Sequence, residues 1–65
     1  MTFGEYMREK GFTAKSLSEK SGLNIRSVER YTTGRLPLSN SRAWFIAALA
    51  KALDTTVEYL LTLDD

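Results

Sequence analysis

With 65 residues the chain has room for a single domain, residues 1–65, and a core this small rarely supplies more than about 3–5 kcal/mol. It contains no cysteine and no histidine, which excludes disulfides and the common zinc sites as supports; no cofactor is implied, and a partner subunit or tight helical packing is what remains. Net charge is only +1, no apolar run reaches bilayer-spanning length, and the opening MTFGEYMREKG carries charges where a signal peptide is apolar, so the expectation is a cytoplasmic protein with Met1 as its native start.

Signals for helices recur along the chain, while alternating β-rich runs are missing. Thr2 with Glu5 forms a capping box, Phe3, Tyr6 and Met7 share a face, and Gly11 is a natural stop. Thr13 can cap a second helix, AKSLSEKS, which Gly22 ends; Phe12 and Leu17 form a hydrophobic staple across its start. Asn24 caps a third helix that runs to Gly34, with Leu23 and Val28 as its staple. Val28 and Tyr31 mark the buried side of that helix, so Ile25, Arg26, Glu29, Arg30 and Thr33 face outward. RLPLSN reads as an extended connection held by Pro37. Ser41 or Ser39 can cap the fourth helix, the most buried one, with Phe45, Leu49 and Leu53 at spacing four and Ile46 and Ala50 beside them. Thr55 with Glu58 makes a further capping box and opens a short fifth helix.

The fold class expected is therefore all-α, a compact set of five helices. Helices two and three are separated by only three residues, Gly22 to Asn24. A connection that short suits a large crossing angle, the helix-turn-helix unit, here residues 13–34.

The third helix carries an oddity. Arg26 and Arg30 stand four apart, a like-charge spacing that weakens an isolated helix by about 0.2–0.5 kcal/mol, and Arg26 sits in the first turn, where the helix dipole repels a cation. Charge is also segregated along the chain. Residues 24–42 hold four arginines against Glu29, a net of +3, and residues 54–65 hold four acids and no base, a net of −4.

TAKSLSEKSGLNIRSVERYTTG resembles the Cro/C1-type, lambda-repressor-like helix-turn-helix regulators, whose pattern runs T-Q-x-x-L-A-x-x-x-G-V-S-x-x-x-I-S-x-x-E-x-G. Thr13, Leu17, Gly22, Leu23, Asn24, Val28 and Gly34 fall on matching positions. LAKALDTTVEYLL (49–61) is similar to the family's L-A-K-A-L-G-V-S-x-x-x-L-L, so the likeness spans about residues 3–61. Ala14 stands where the family has a DNA-contacting glutamine, and Thr32 where it has a structural glutamate.

The resemblance implies a recognition helix leading into the major groove of double-stranded DNA with its N-terminal residues. Its base-reading positions are Ile25, Arg26, Ser27 and Arg30: arginine pairs bidentately with guanine, and Ile25 suits a thymine methyl. A polyanion as neighbour accounts for the two arginines. Phosphate-contact candidates are Thr13, Lys15, Asn24, Arg35, Ser39, Asn40 and Arg42, which position the protein without reading sequence. Against these stand plainer roles: Arg26 paired with Glu29, Arg30 paired with another surface acid, Ile25 in the core, and Asn24 as a cap alone. Trp44 and Tyr59 read as core or dimer-contact residues.

One recognition helix covers few base pairs, so a homodimer on two half-sites is expected. Its contact helix, residues 56–63, offers Val57, Tyr59, Leu60, Leu61 and Leu63, more apolar residues than two turns can bury against their own domain. Repression by competition for a promoter is the simplest mechanism. The alternative is an antitoxin- or antirepressor-like module that covers a partner protein with the same fold. An enzyme is excluded for want of a histidine, a cysteine, or a carboxylate pair beside an activated serine, and neither a membrane nor a small-molecule substrate is indicated.

Overall fold

The computed structural model describes residues 1–34 and 36–63. Among them are five α-helices, α1 (Phe3–Glu9), α2 (Ala14–Ser21), α3 (Ile25–Thr32), α4 (Ala43–Ala52) and α5 (Val57–Leu61), with a 3₁₀ turn at Leu38–Asn40 and no strand. The described residues contain no helix long and apolar enough to cross a membrane.

Side-chain caps fix where the first three helices begin. The Glu5 N–H donates to Thr2 Oγ1 at 3.2 Å and the Thr2 N–H to Glu5 Oε1 at 2.8 Å, a closed capping box. Thr13 and Ser16 make the same reciprocal pair at α2, with the Ser16 N–H on Thr13 Oγ1 at 3.1 Å and the Thr13 N–H on Ser16 Oγ at 2.9 Å. At α3 the Arg26 N–H donates to Asn24 Oδ1 at 2.8 Å. Gly22 ends α2 at φ 77°, a left-handed conformation that glycine adopts without steric cost, and the chain turns directly into α3.

The later caps differ from expectation. Neither Ser41 nor Ser39 caps α4: Arg42 occupies the N-cap position without a side-chain hydrogen bond, and the Ser41 hydroxyl donates to the Leu38 carbonyl at 2.6 Å. The connection before α4 is not wholly extended, because Leu38, 1% exposed, plugs into the core and winds the chain into its 3₁₀ turn. Thr55 is not the cap of α5. The N–H groups of Asp54 and Thr55 donate back to Lys51 O (3.2 Å) and Ala50 O (2.9 Å), the Schellman closure of α4, with Asp54 left-handed at φ 57°. Thr55 is used up in that closure, so Thr56 caps α5, accepting the Tyr59 N–H at 3.1 Å.

One cluster forms the core. Phe3 and Met7 of α1, Leu17 of α2, Val28 of α3, Leu38, the α4 residues Phe45, Ile46, Leu49, Ala50 and Ala52, then Leu53, Leu60 and Leu63 are all buried. Phe12, Leu23, Tyr31 and Val57 pack against its edge, so both staples bring their outer residue onto the core. Each aliphatic or aromatic side chain fully buried contributes about 1.5–3 kcal/mol. No buried side-chain nitrogen or oxygen among the described residues lacks a hydrogen-bond partner.

Three residues correct the sequence reading of the surface. Leu60 (0% exposed) and Leu63 (7%) belong to the chain's own core, which removes them from the expected dimer surface. α5 docks with Leu60 pointing inward, and Leu63 follows it after the last turn. Trp44, 63% exposed, is not a core residue: α4 turns Phe45 and Ile46 inward, and that leaves its neighbour outside.

Candidate nucleic-acid interface

α3 presents the candidate base-reading face. Val28 is fully buried, and Tyr31 is half-buried with its ring centroid 5.2 Å from that of Phe45, so two inward anchors set the rotation of the helix. That rotation leaves Ile25, Arg26, Glu29, Arg30 and Thr33 exposed and Ser27 half-buried. Ile25 is not a core residue at 38% exposure. Arg26 and Arg30 lie one turn apart on the outer face, and neither guanidinium has an ion-pair or hydrogen-bond partner among the described residues. The Arg26–Glu29 pair is not formed.

α3 stands as a ridge between two depressions. One lies toward the start of α2 and is lined by Ala14, Arg26, Glu29, Arg30, Thr32 and Thr33. The other lies toward the start of α4 and is lined by Ser27, Arg30, Tyr31, Asn40, Arg42, Trp44 and Phe45. Arg30 borders both. The outer face of α3 thus carries Arg26 and Arg30 with Glu29 between them, and a recess lies on either flank.

The candidate phosphate contacts divide between these flanks. On the α2 side, Lys15 is exposed beside the Thr13 cap, but Thr13 spends its hydroxyl on Ser16. Asn24 is likewise engaged through its carboxamide oxygen as the cap of α3. On the α4 side, Asn40 and Arg42 are exposed and meet at one recess; Ser39 is exposed in the 3₁₀ turn, off that recess. Arg35 lies outside the described residues.

Of the expected dimer surface, Tyr59 (45% exposed) and Leu61 (42%) remain outward, with Val57 half-buried at the edge. Tyr59 is steadied by Tyr6, ring centroids 5.2 Å apart at 53°.

Of two further residues bearing on the site, one, Gly4, escaped the sequence reading, and the other, Trp44, was read as a core or dimer-contact residue. Gly4 of α1 lies against α3, and Trp44 walls the α4-side recess. For Trp44 a signal was present: it lies seven positions before Lys51, two helical turns along the outward stripe of α4. For Gly4 there was none, because close approach of two backbones has no local signature.

A capped pair of short helices joined through a left-handed glycine, the second bearing outward arginines, defines a helix-turn-helix DNA-binding protein. The family model for the Cro/C1-type HTH DNA-binding domain matches residues 3–65, and the chain belongs to that family. It is a DNA-binding transcription regulator whose partner is double-stranded DNA. No curated protein and no solved structure gives a significant match to the chain.

Proposed function

We propose that the protein is a sequence-specific repressor that binds a two-fold-symmetric operator as a homodimer, with Arg26 and Arg30 as the principal base readers. The observation that carries this reading is the pair of exposed guanidiniums one turn apart on α3, unpaired among the described residues. Such a pair is unfavourable in water and favourable over guanine edges, where each good bidentate contact gives about 1–3 kcal/mol of discrimination. Ile25 and Ser27 share the first turn and complete the reading surface. Lys15, Arg42 and Asn40 flank it as phosphate contacts, with Thr13, Asn24 and Ser39 as further ones, and fix the register of the helix in the groove; Arg35 is a phosphate-contact candidate from the sequence alone.

The homodimer is supported by the apolar residues that α5 leaves outside, Tyr59 and Leu61, with Val57 at their edge. Two copies joined there present two recognition helices to half-sites about 10 base pairs apart, centre to centre. Occupancy of such a site within a promoter excludes polymerase, which favours repression.

Selection of bound duplexes from a random pool tests the reading. Enrichment of inverted repeats with half-sites one helical turn apart is the expected result, and binding should weaken steeply with salt, log K falling by about 0.9 per phosphate contacted for each decade in concentration. A pool with no enriched sequence, or an affinity indifferent to salt, would instead favour the protein-covering role of an antitoxin or antirepressor.

A further inference from the structure

The recess between α3 and the start of α4 combines three features that the base-reading role of α3 does not use. Arg42 stands at the N-cap position of α4 with its side chain free of a capping bond. Asn40 is exposed at the end of the preceding 3₁₀ turn. The indole of Trp44 forms the outer wall, 63% exposed and braced edge-on by Phe45 at a centroid distance of 5.9 Å and an interplanar angle of 68°. Arg30 closes the recess from the α3 side, and none of its described lining residues is acidic. A single exposed aromatic needs no explanation by itself. An exposed indole that shares a recess with Arg42 and Asn40, on the flank of a recognition helix, is matched to a surface that is anionic and apolar by turns.

The sugar-phosphate backbone of duplex DNA is such a surface. We propose that this recess seats one backbone strand: Arg42 and Asn40 hold a phosphate, and Trp44 packs its ring against the adjoining deoxyribose. Arginine forks fit phosphate oxygens bidentately. The indole supplies apolar contact area on two rotatable angles, and its Nε1–H is a spare donor for a phosphate oxygen. Because sugar and phosphate are the same at every step, the seat raises affinity without contributing base preference. This assignment rests on the DNA-binding reading above and adds to it the strand contact on the α4 side.

Trp44 is the single tryptophan of the chain, so its emission reports on this recess alone. The experiment titrates the full chain with a selected duplex and with a scrambled one, following tryptophan emission and gel mobility together. Expected are a saturable change in emission at the stoichiometry of the mobility shift, and a Trp44→Ala variant that binds both duplexes about three- to tenfold more weakly by the same factor, with an unaltered salt slope. Trp44→Phe, which keeps a ring and the packing on Phe45, should recover most of the loss. Arg42→Ala should flatten the salt slope by about one contact, about 0.9. The seat is overturned if wild-type protein shifts the duplex with no change in emission and Trp44→Ala binds as well as wild type. It is also overturned if Trp44→Ala alters the ratio between selected and scrambled duplex. A change in emission with protein concentration alone, accompanied by altered sedimentation of Trp44→Ala, would place Trp44 between protomers and overturn it too. Failure of the DNA-binding reading shows separately, as wild-type protein that shifts neither duplex.

Discussion

Gly4 of α1 lies so close to the Thr32 carbonyl of α3 that a Cβ at position 4 would stand 2.5 Å from that oxygen. The neighbour is backbone and cannot swing aside. Helix propensity alone favours alanine over glycine by about 0.5–1 kcal/mol, but overpacking of this kind costs about 1–3 kcal/mol, so the clash decides the sign. Gly4→Ala should lower the urea midpoint and loosen α3, the helix that carries both arginines. A variant as stable as wild type would mean that α1 and α3 are not packed this tightly.

Arg26→Ala tests the reading face without touching the core. The side chain is exposed and has no described partner, so thermal stability should hold. Discrimination between selected and scrambled duplex should fall by about 1–3 kcal/mol in competition binding. Full retention of discrimination would remove Arg26 from the base readers.

Adjacent leucines of α5 have opposite roles. Leu60 is fully buried and Leu61 is 42% exposed. Leu60→Ala should cost about 2–5 kcal/mol of stability, a loss that a chain this small can scarcely absorb. Leu61→Asp should leave the circular-dichroism melt nearly unchanged and shift the sedimentation profile to monomer. Dimers that survive Leu61→Asp would move the interface away from α5.

Asp54 is the one non-glycine residue at positive φ among the described residues, at 57°, in the position of a Schellman closure where glycine is preferred. Asp54→Gly should raise stability by about 0.5–1 kcal/mol, the scale of an improved helix cap, read from denaturant melts. An unchanged or lowered midpoint would indicate that the aspartate contributes something the closure does not need.

The Glu5 carboxyl is held below its ordinary value of 4.5, chiefly because it accepts the Thr2 backbone N–H and then the Thr2 hydroxyl contact. A carboxylate with a lowered folded value stabilises the fold above the unfolded value, and this contribution is lost as pH falls from there through the folded value. Wild type should therefore melt above Glu5→Gln at neutral pH, and the two should converge on acidification below about pH 4.5. A gap independent of pH would separate the box from Glu5 ionisation.

The helix starts at Thr2, Thr13 and Asn24, the stops at Gly11 and Gly22, and the outward turn of Arg26 and Arg30 all follow from residues within one or two turns of each other, which is why the sequence by itself determined them. Capping is a local hydrogen-bond exchange, and the α3 face is set by two anchors, Val28 and Tyr31, on a helix long enough to have one buried stripe. Only the tertiary structure decided which leucines of α5 go inward, because its five residues (Val57–Leu61) complete too little of a period to define a face, and the docking of α4 chose Leu60 over Leu61. Packing between helices likewise turned Trp44 of α4 outward and pressed Gly4 of α1 against Thr32 of α3. Each of these depends on how separate segments share one core, and the free energy of that packing is a property of contacts between elements that no short window of residues contains.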